Sequence, residues 1–312
     1  MWSRFVRQVF LSLDDQSVGT TRCCSTGVVL WVALFLTGCQ PAATQLGPNS
    51  TNQSSASDAN SEVAVTETGD SAHPAASGTV RIAAASDLRF AFEELAKEFA
   101  RIEPQIELQV TFGSSGAFFA QLSNEAPFDL FLSADIDFPR KLIAQGQGIA
   151  NSEFTYGVGE LVLWVRNDSP LKPQEGGMRV LADPRAAKIA IANPDHAPYG
   201  RAAVAALKSL ELYESVKDRL VLAENVSQAV QWVDTGAADV GLVAASLVTA
   251  PALRDKGDSF VVPADSYPPL VQGGVILNWA KAPGAAERFR VFLMSEAGQA
   301  ILNRYGIRNQ NG

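Results

Sequence analysis

Cysteine and histidine are scarce in this 312-residue chain, three and two respectively, and where they fall matters more than how many there are. Cys23, Cys24 and Cys39 all precede residue 40. The remaining sequence can therefore form neither a disulfide nor a thiolate metal site. His73 and His196 are the two histidines, and only His196 lies in a stretch with the pattern of a folded domain. Basic charge is also short: 25 Lys and Arg against 33 Asp and Glu give a formal net charge of −8. A nucleic-acid partner needs a basic face, so this balance argues against one. No G-x-x-x-x-G-K-[ST] run is present, which argues against an ATPase. No apolar run reaches the roughly 20 residues of a membrane-spanning helix.

The longest apolar run, "GVVLWVALFL" at 27–36, has instead the length of a secretory signal core, preceded by Arg4, Arg7 and Arg22. Residues 1–38 are expected to be a signal peptide, although Asp14 and Asp15 make its start long and unusually acidic. "LTGC" at 36–39 resembles the lipobox of bacterial lipoproteins. The resemblance implies cleavage before Cys39, lipidation of its sulfur and an exported chain anchored at a membrane. Residues 40–78 are rich in Ser, Thr, Ala, Asn and Gly with almost no large apolar side chains. Such a segment cannot bury enough surface to offset the entropy of ordering, so 39–78 reads as a lipidated cysteine on a flexible tether.

From residue 79 short aliphatic runs alternate with amphipathic stretches. "TVRIAAAS" (79–86), "IELQVTF" (106–112) and "FDLFLSA" (128–134) read as strands; 88–102, with Phe92, Leu95, Phe99 and Ile102 on one face, reads as a helix. "GELVLWVR" (159–166), "AKIAIANP" (187–194), "RLVLAE" (219–224), "ADVGLVAAS" (238–246) and "PPLVQGGVIL" (268–277) are further strands. Helices are expected over 198–210, 226–236 and 284–304. The alternation predicts an α/β fold of two lobes, each a mostly parallel sheet flanked by helices, with 79–160 and 268–312 in lobe 1 and 161–267 in lobe 2. Ligands bind such sheets at the carboxyl ends of strands, where Ser86 and Ser115 both fall. In "TFGSSGAFFAQL" (111–122) two serines stand between glycines at the start of a helix, a place suited to an anion.

"RIAAASDL", "FGSSG", "DLFLSAD", "NPDHAPYG", "LAENVSQAV", "ADVGLV" and "ILNRYGI" follow one another in order between about residues 79 and 308. Together they resemble the periplasmic molybdate-binding proteins of ABC transporters. The resemblance implies a type II periplasmic binding protein fold, two lobes joined by two crossing strands, with a tetrahedral oxyanion held between them. It implies molybdate, with tungstate, as ligand, an ABC permease as partner, a monomer, no cofactor and no catalytic residue. It places the oxyanion-binding hydroxyls on Ser86 and Ser115, and backbone N–H donors on Tyr199 and Val226. All four positions stand where a strand or loop gives way to a helix, so hydroxyls and amides, with no metal-ligating side chain, would hold the anion. Donors alone would exclude phosphate, which carries a proton at neutral pH.

The sequence departs from that family at Ala244, where many members carry a tyrosine whose hydroxyl reaches the ligand. Asp87 is a possible backbone contact; its carboxylate is expected to turn away and cap the following helix. Ser114 is expected to face away from the cleft. Two other readings remain: a binding protein for a different oxyanion such as sulfate, and a serine hydrolase built on Ser115. The hydrolase lacks the last glycine of G-x-S-x-G, since Ala117 stands there, and has only His196 to serve as base.

Overall fold

The computed structural model describes residues 77–309. The expected signal peptide, Cys39 and nearly all of the tether lie outside the described residues. Chain order begins with β1 (Gly78–Ala85), α1 (Arg89–Ile102), β2 (Ile106–Gly113), α2 (Ser115–Leu122), β3 (Leu130–Ser133), α3 (Asp137–Ala144) and β4 (Phe154–Gly159). It continues with β5 (Leu161–Arg166), α4 (Pro173–Gly176), β6 (Ile189–Ala192), α5 (Pro198–Ser209), α6 (Tyr213–Val216), β7 (Leu220–Ala223), α7 (Val226–Asp234), β8 (Val240–Ala244), α8 (Ala245–Val248) and β9 (Gly257–Val261). The last elements are β10 (Leu270–Ile276), α9 (Pro283–Met294) and α10 (Glu296–Arg304).

Two five-stranded sheets result, in the orders β2-β1-β3-β10-β4 and β7-β6-β8-β5-β9. In each, three parallel strands are extended by two antiparallel ones. The fold is thus a two-lobed α/β arrangement with helices on the sheet faces. Central strands are apolar on both faces because both are covered. Val80, Ile82 and Ala84 of β1 join Leu130 and Leu132 in one core, while Ala83 and Phe131 join Phe118, Leu122 and Val275 in another. In α1, Phe92, Leu95 and Phe99 are buried. Phe99 meets Phe289 of α9 edge-on at 5.2 Å, which ties the first and ninth helices over the same sheet. Ile102, expected on that face, is exposed at the end of the helix.

The strand expected over 159–166 is β5, which begins at Leu161. β4 ends at Gly159 in the first sheet, β5 starts at Leu161 in the second, and Glu160 alone lies between them. The return crossing runs from the end of β9 to the start of β10, residues 262–269. β4 and β9 were not legible as strands. Gly157 and Gly159 break up the β-forming pattern of β4, and β9, "GDSFV", is a half-exposed edge strand with a charge in it. The helix expected over 284–304 breaks at Ser295, whose extended backbone lets its hydroxyl accept the Gly298 N–H and cap α10.

One buried carboxylate fixes the start of β3 against β1. Asp129 is fully buried and takes both Nε and Nη2 of Arg81 at 3.0 Å, the Arg81 N–H at 2.8 Å and the Lys281 N–H at 2.6 Å. Burial pushes its pKa up, but the Arg81 and backbone donors outweigh that and hold it below the ordinary carboxylate value. Asp129→Asn should cost about 1.5–3 kcal/mol in urea unfolding, the worth of a hydrogen bond to a charged group. Because the folded-state pKa is depressed, the wild-type advantage should be whole at neutral pH and shrink as the pH falls below about 4, the unfolded value.

Candidate functional site

Three helices of at least eight residues and one short 3-10 turn begin at the same seam. Ser86 opens the turn 86–88 after β1, and Ser115 is the first residue of α2 after β2. Both come from the first lobe. From the second lobe, Tyr199 follows Pro198 at the start of α5, and Val226 opens α7 behind Asn225, whose side chain accepts the Gln228 N–H. Proline and the asparagine cap are the reasons these helices start where they do. Ser86, Asp87, Ser114, Ser115, Tyr199 and Val226 all line one small pocket of about 10 Å³.

The hydrogen bonds already made there set the polarity of the site. Ser115 Oγ accepts the Ala134 N–H at 3.0 Å, and Ser86 Oγ accepts the Ser227 N–H at 3.4 Å. Each hydroxyl oxygen is occupied as an acceptor, which leaves its O–H to donate. The N–H groups of Tyr199 and Val226 have no acceptor among the described residues, as expected in a helix's first turn. The arrangement is therefore suited to a compact anion rich in acceptors and offers little to a cation.

Bonds across the seam hold the two lobes together. Ser114 Oγ donates to the His196 carbonyl at 2.5 Å and lies 2.9 Å from His196 Nδ1, and the Gly116 N–H reaches the same carbonyl at 2.8 Å. Arg201 of α5 pairs with Asp135 at 2.6 Å. Ser246 Oγ of α8 donates to the Asp87 carbonyl at 2.8 Å. Gly116 has no room for a side chain, since a Cβ there would collide with the His196 backbone.

Asp87 does not behave as expected. Its carboxylate caps no helix; it is fully buried, taking the Tyr199 hydroxyl at 3.2 Å and Gln272 Nε2 at 2.6 Å on Oδ2, while Oδ1 has no partner. Burial is the main cause that pushes its pKa up to about 6, against the opposing pull of Gln272, Tyr199 and nearby backbone donors. Ser114 likewise differs from expectation: it faces the other lobe rather than turning away from the cleft. The physical reason in both cases is the second lobe, whose groups approach from positions more than 80 residues away in sequence. Gln272 was not singled out, although a lone amide inside the apolar run "LVQGGVIL" was its signal. His196 stands against Ser114, so the one histidine available as a base is not bonded to Ser115, the nucleophile that a hydrolase would need. Ala244, expected beside the ligand, ends β8 fully buried and is not among the residues lining the pocket.

Comparison with known proteins agrees with the two-lobed fold. The family described as bacterial extracellular solute-binding protein matches residues 80–308. The molybdate-binding protein ModA of Rhodobacter capsulatus is 37% identical over 236 residues, covering 75% of this chain and 89% of that protein. A putative ABC transporter substrate-binding lipoprotein, YvgL of Bacillus subtilis, is 33% identical and covers 73% and 86%. Among solved structures, the periplasmic molybdate-binding protein of Azotobacter vinelandii superposes with a TM-score of 0.69 at 34% identity, covering 73% of this chain and 98% of that one.

With Tyr199 and Ala244 both buried in the second lobe's core, a tyrosine at 244 would have no free volume to enter. Ala244→Tyr should overpack that core and lower stability by about 1–3 kcal/mol, with molybdate affinity reduced rather than improved. Thermal unfolding and titration of the same variant check the two parts.

Proposed function

This chain belongs to the bacterial extracellular solute-binding protein family, and we propose that it captures molybdate, and tungstate with it, for delivery to an ABC permease. The observation that carries the reading is the set of four donors on one pocket: the Ser86 and Ser115 hydroxyls, each already accepting a backbone N–H, and the unoccupied N–H groups of Tyr199 and Val226. A dianion meets charge-assisted hydrogen bonds and helix N-termini there without needing Lys or Arg, which is how a chain with net charge −8 can hold an anion. Closure of the lobes through Ser114, His196, Arg201 and Asp135 gives the permease a loaded shape to distinguish from an open one. Binding in this role needs no cofactor and no catalytic group, and a single copy suffices.

We place the chain outside the cytoplasmic membrane: residues 1–38 direct export, Cys39 carries the lipid, and 40–78 tether the lobes. The description of the Bacillus subtilis relative as a lipoprotein and the "LTGC" motif support this.

Calorimetry of the purified protein with molybdate, tungstate, sulfate and phosphate tests the ligand, and tight sulfate binding with no response to molybdate would overturn it. Ser86→Ala and Ser115→Ala should each weaken molybdate binding by roughly 10- to 150-fold, the equivalent of about 1.5–3 kcal/mol for a hydrogen bond to a charged ligand. Unchanged affinity in both would move the site elsewhere. Cys39→Ser should convert a membrane-bound protein into a soluble exported one with the same affinity; continued fractionation with membranes would remove the lipid anchor from this account.

A further inference from the structure

We propose, resting on the oxyanion reading above, that the Tyr199 hydroxyl and the Asp87 carboxylate are a positioning pair behind the pocket, which holds the two lobes closed on the ligand and sets how long it stays bound. Neither group touches the ligand. Tyr199 opens α5 of the second lobe and presents its N–H at the pocket, while its hydroxyl reaches past the pocket and donates to Asp87 Oδ2 of the first lobe at 3.2 Å. Gln272 Nε2, from β10 of the first lobe, donates to the same carboxylate oxygen at 2.6 Å and lies 3.2 Å from the hydroxyl. Tyr199 is 2% exposed, and Asp87 and Gln272 are fully buried. Asp87 directly follows Ser86, so one hydrogen bond registers a donor of the first lobe against a donor of the second.

The turn 86–88 is where the second lobe takes hold of the first. From α5 the Tyr199 hydroxyl reaches the Asp87 carboxylate, from α8 the Ser246 hydroxyl reaches the Asp87 carbonyl at 2.8 Å, and from α7 the Ser227 N–H reaches Ser86 Oγ at 3.4 Å. Burial separates the bonds on Asp87 from the others across the seam. The Arg201 and Asp135 side chains are 40% and 28% exposed, so water competes for both and the pair contributes little net. His196 is only half-buried at its end of the Ser114 bond. The cross-seam side-chain bonds in which both residues are buried all end on Asp87 or Gln272. Parting the lobes breaks them before water has reached the groups left behind, which is when an unpaired polar group costs most. Gly159 keeps the space for this arrangement, since a Cβ there would collide with both the Tyr199 hydroxyl and Gln272 Nε2. Bonds made on closure, and not to the ligand, act on the ratio of closed to open protein, and so on release more than on encounter.

The test is stopped-flow kinetics of the full protein with molybdate, reading association on mixing and release on dilution of the loaded protein. Tyr199→Phe keeps the ring and the backbone N–H and loses only the hydroxyl. It should release molybdate about tenfold faster than wild type, with an association rate within about twofold. Gly159→Ala, which displaces the hydroxyl from the other side, should also speed release. Asp87→Asn keeps an oxygen to accept from the hydroxyl and should release more slowly than Asp87→Leu, which keeps none. Should Asp87→Leu fail to fold, Tyr199→Phe decides the matter alone. Urea unfolding of the ligand-free protein separates positioning from packing: Tyr199→Phe should keep a midpoint close to that of wild type, whereas a hydroxyl that serves only packing would lower the midpoint and leave release unchanged. Unchanged release in Tyr199→Phe, or slower association with unchanged release, would overturn the pair and leave the oxyanion reading intact, because that reading is tested separately by Ser86→Ala and Ser115→Ala. Failure of wild type to bind molybdate at all would remove that reading and this inference together.

Discussion

A group taken out of water between two lobes must have its hydrogen bonds replaced from both sides, and this requirement organises the molecule. The donors are split across the seam: Ser86 and Ser115 from the first lobe, Tyr199 and Val226 from the second. Neither lobe alone can surround a compact anion. Each donor is presented at the start of a helix or 3-10 turn, where N–H groups lack intrahelical partners.

The same seam carries the bonds that hold the lobes in place. His196 is gripped by Ser114 and by the Gly116 N–H, Arg201 reaches Asp135, and Tyr199 reaches past the pocket to Asp87 and Gln272. Tyr199 thus serves twice, its N–H on the pocket and its hydroxyl behind it. That reach requires a glycine at 159, where a Cβ would collide with the Tyr199 hydroxyl and the Gln272 amide. Gly159 is also the last residue of β4, one position before the chain crosses to the second sheet. The crossing and the seam are therefore packed against each other, and a change of angle between the lobes has to move the Asp87, Tyr199 and Gln272 cluster. Burial pushes the pKa of that cluster's carboxylate up to about 6.

Much of this was legible in the amino-acid order. Apolar runs alternating with helical periodicity gave the α/β class, because strand and helix periods differ and the difference survives in one dimension. Ser86, Ser115, Tyr199 and Val226 were legible because each marks a junction between elements, and junctions are local events signalled by Gly, Pro, Ser and Asn nearby. β4 and β9 were missed for different reasons: "FTYGVG" alternates but has glycine at two of its six positions, and "GDSFV" has no alternation to read.

What the sequence could not determine is direction and company. Nothing local states that the Asp87 carboxylate turns into the seam instead of capping a helix, that Ser114 meets His196 across 82 positions, or that Gln272 meets Asp87 across 185. Ala244 shows the converse: its identity was readable, but only the fold placed it in a full core rather than on the pocket wall. The sequence by itself determined which residues could begin helices and donate. The tertiary structure alone decided which of them face one another, because contacts between chain segments so far apart depend on the packing of two sheets and not on the order of residues within either.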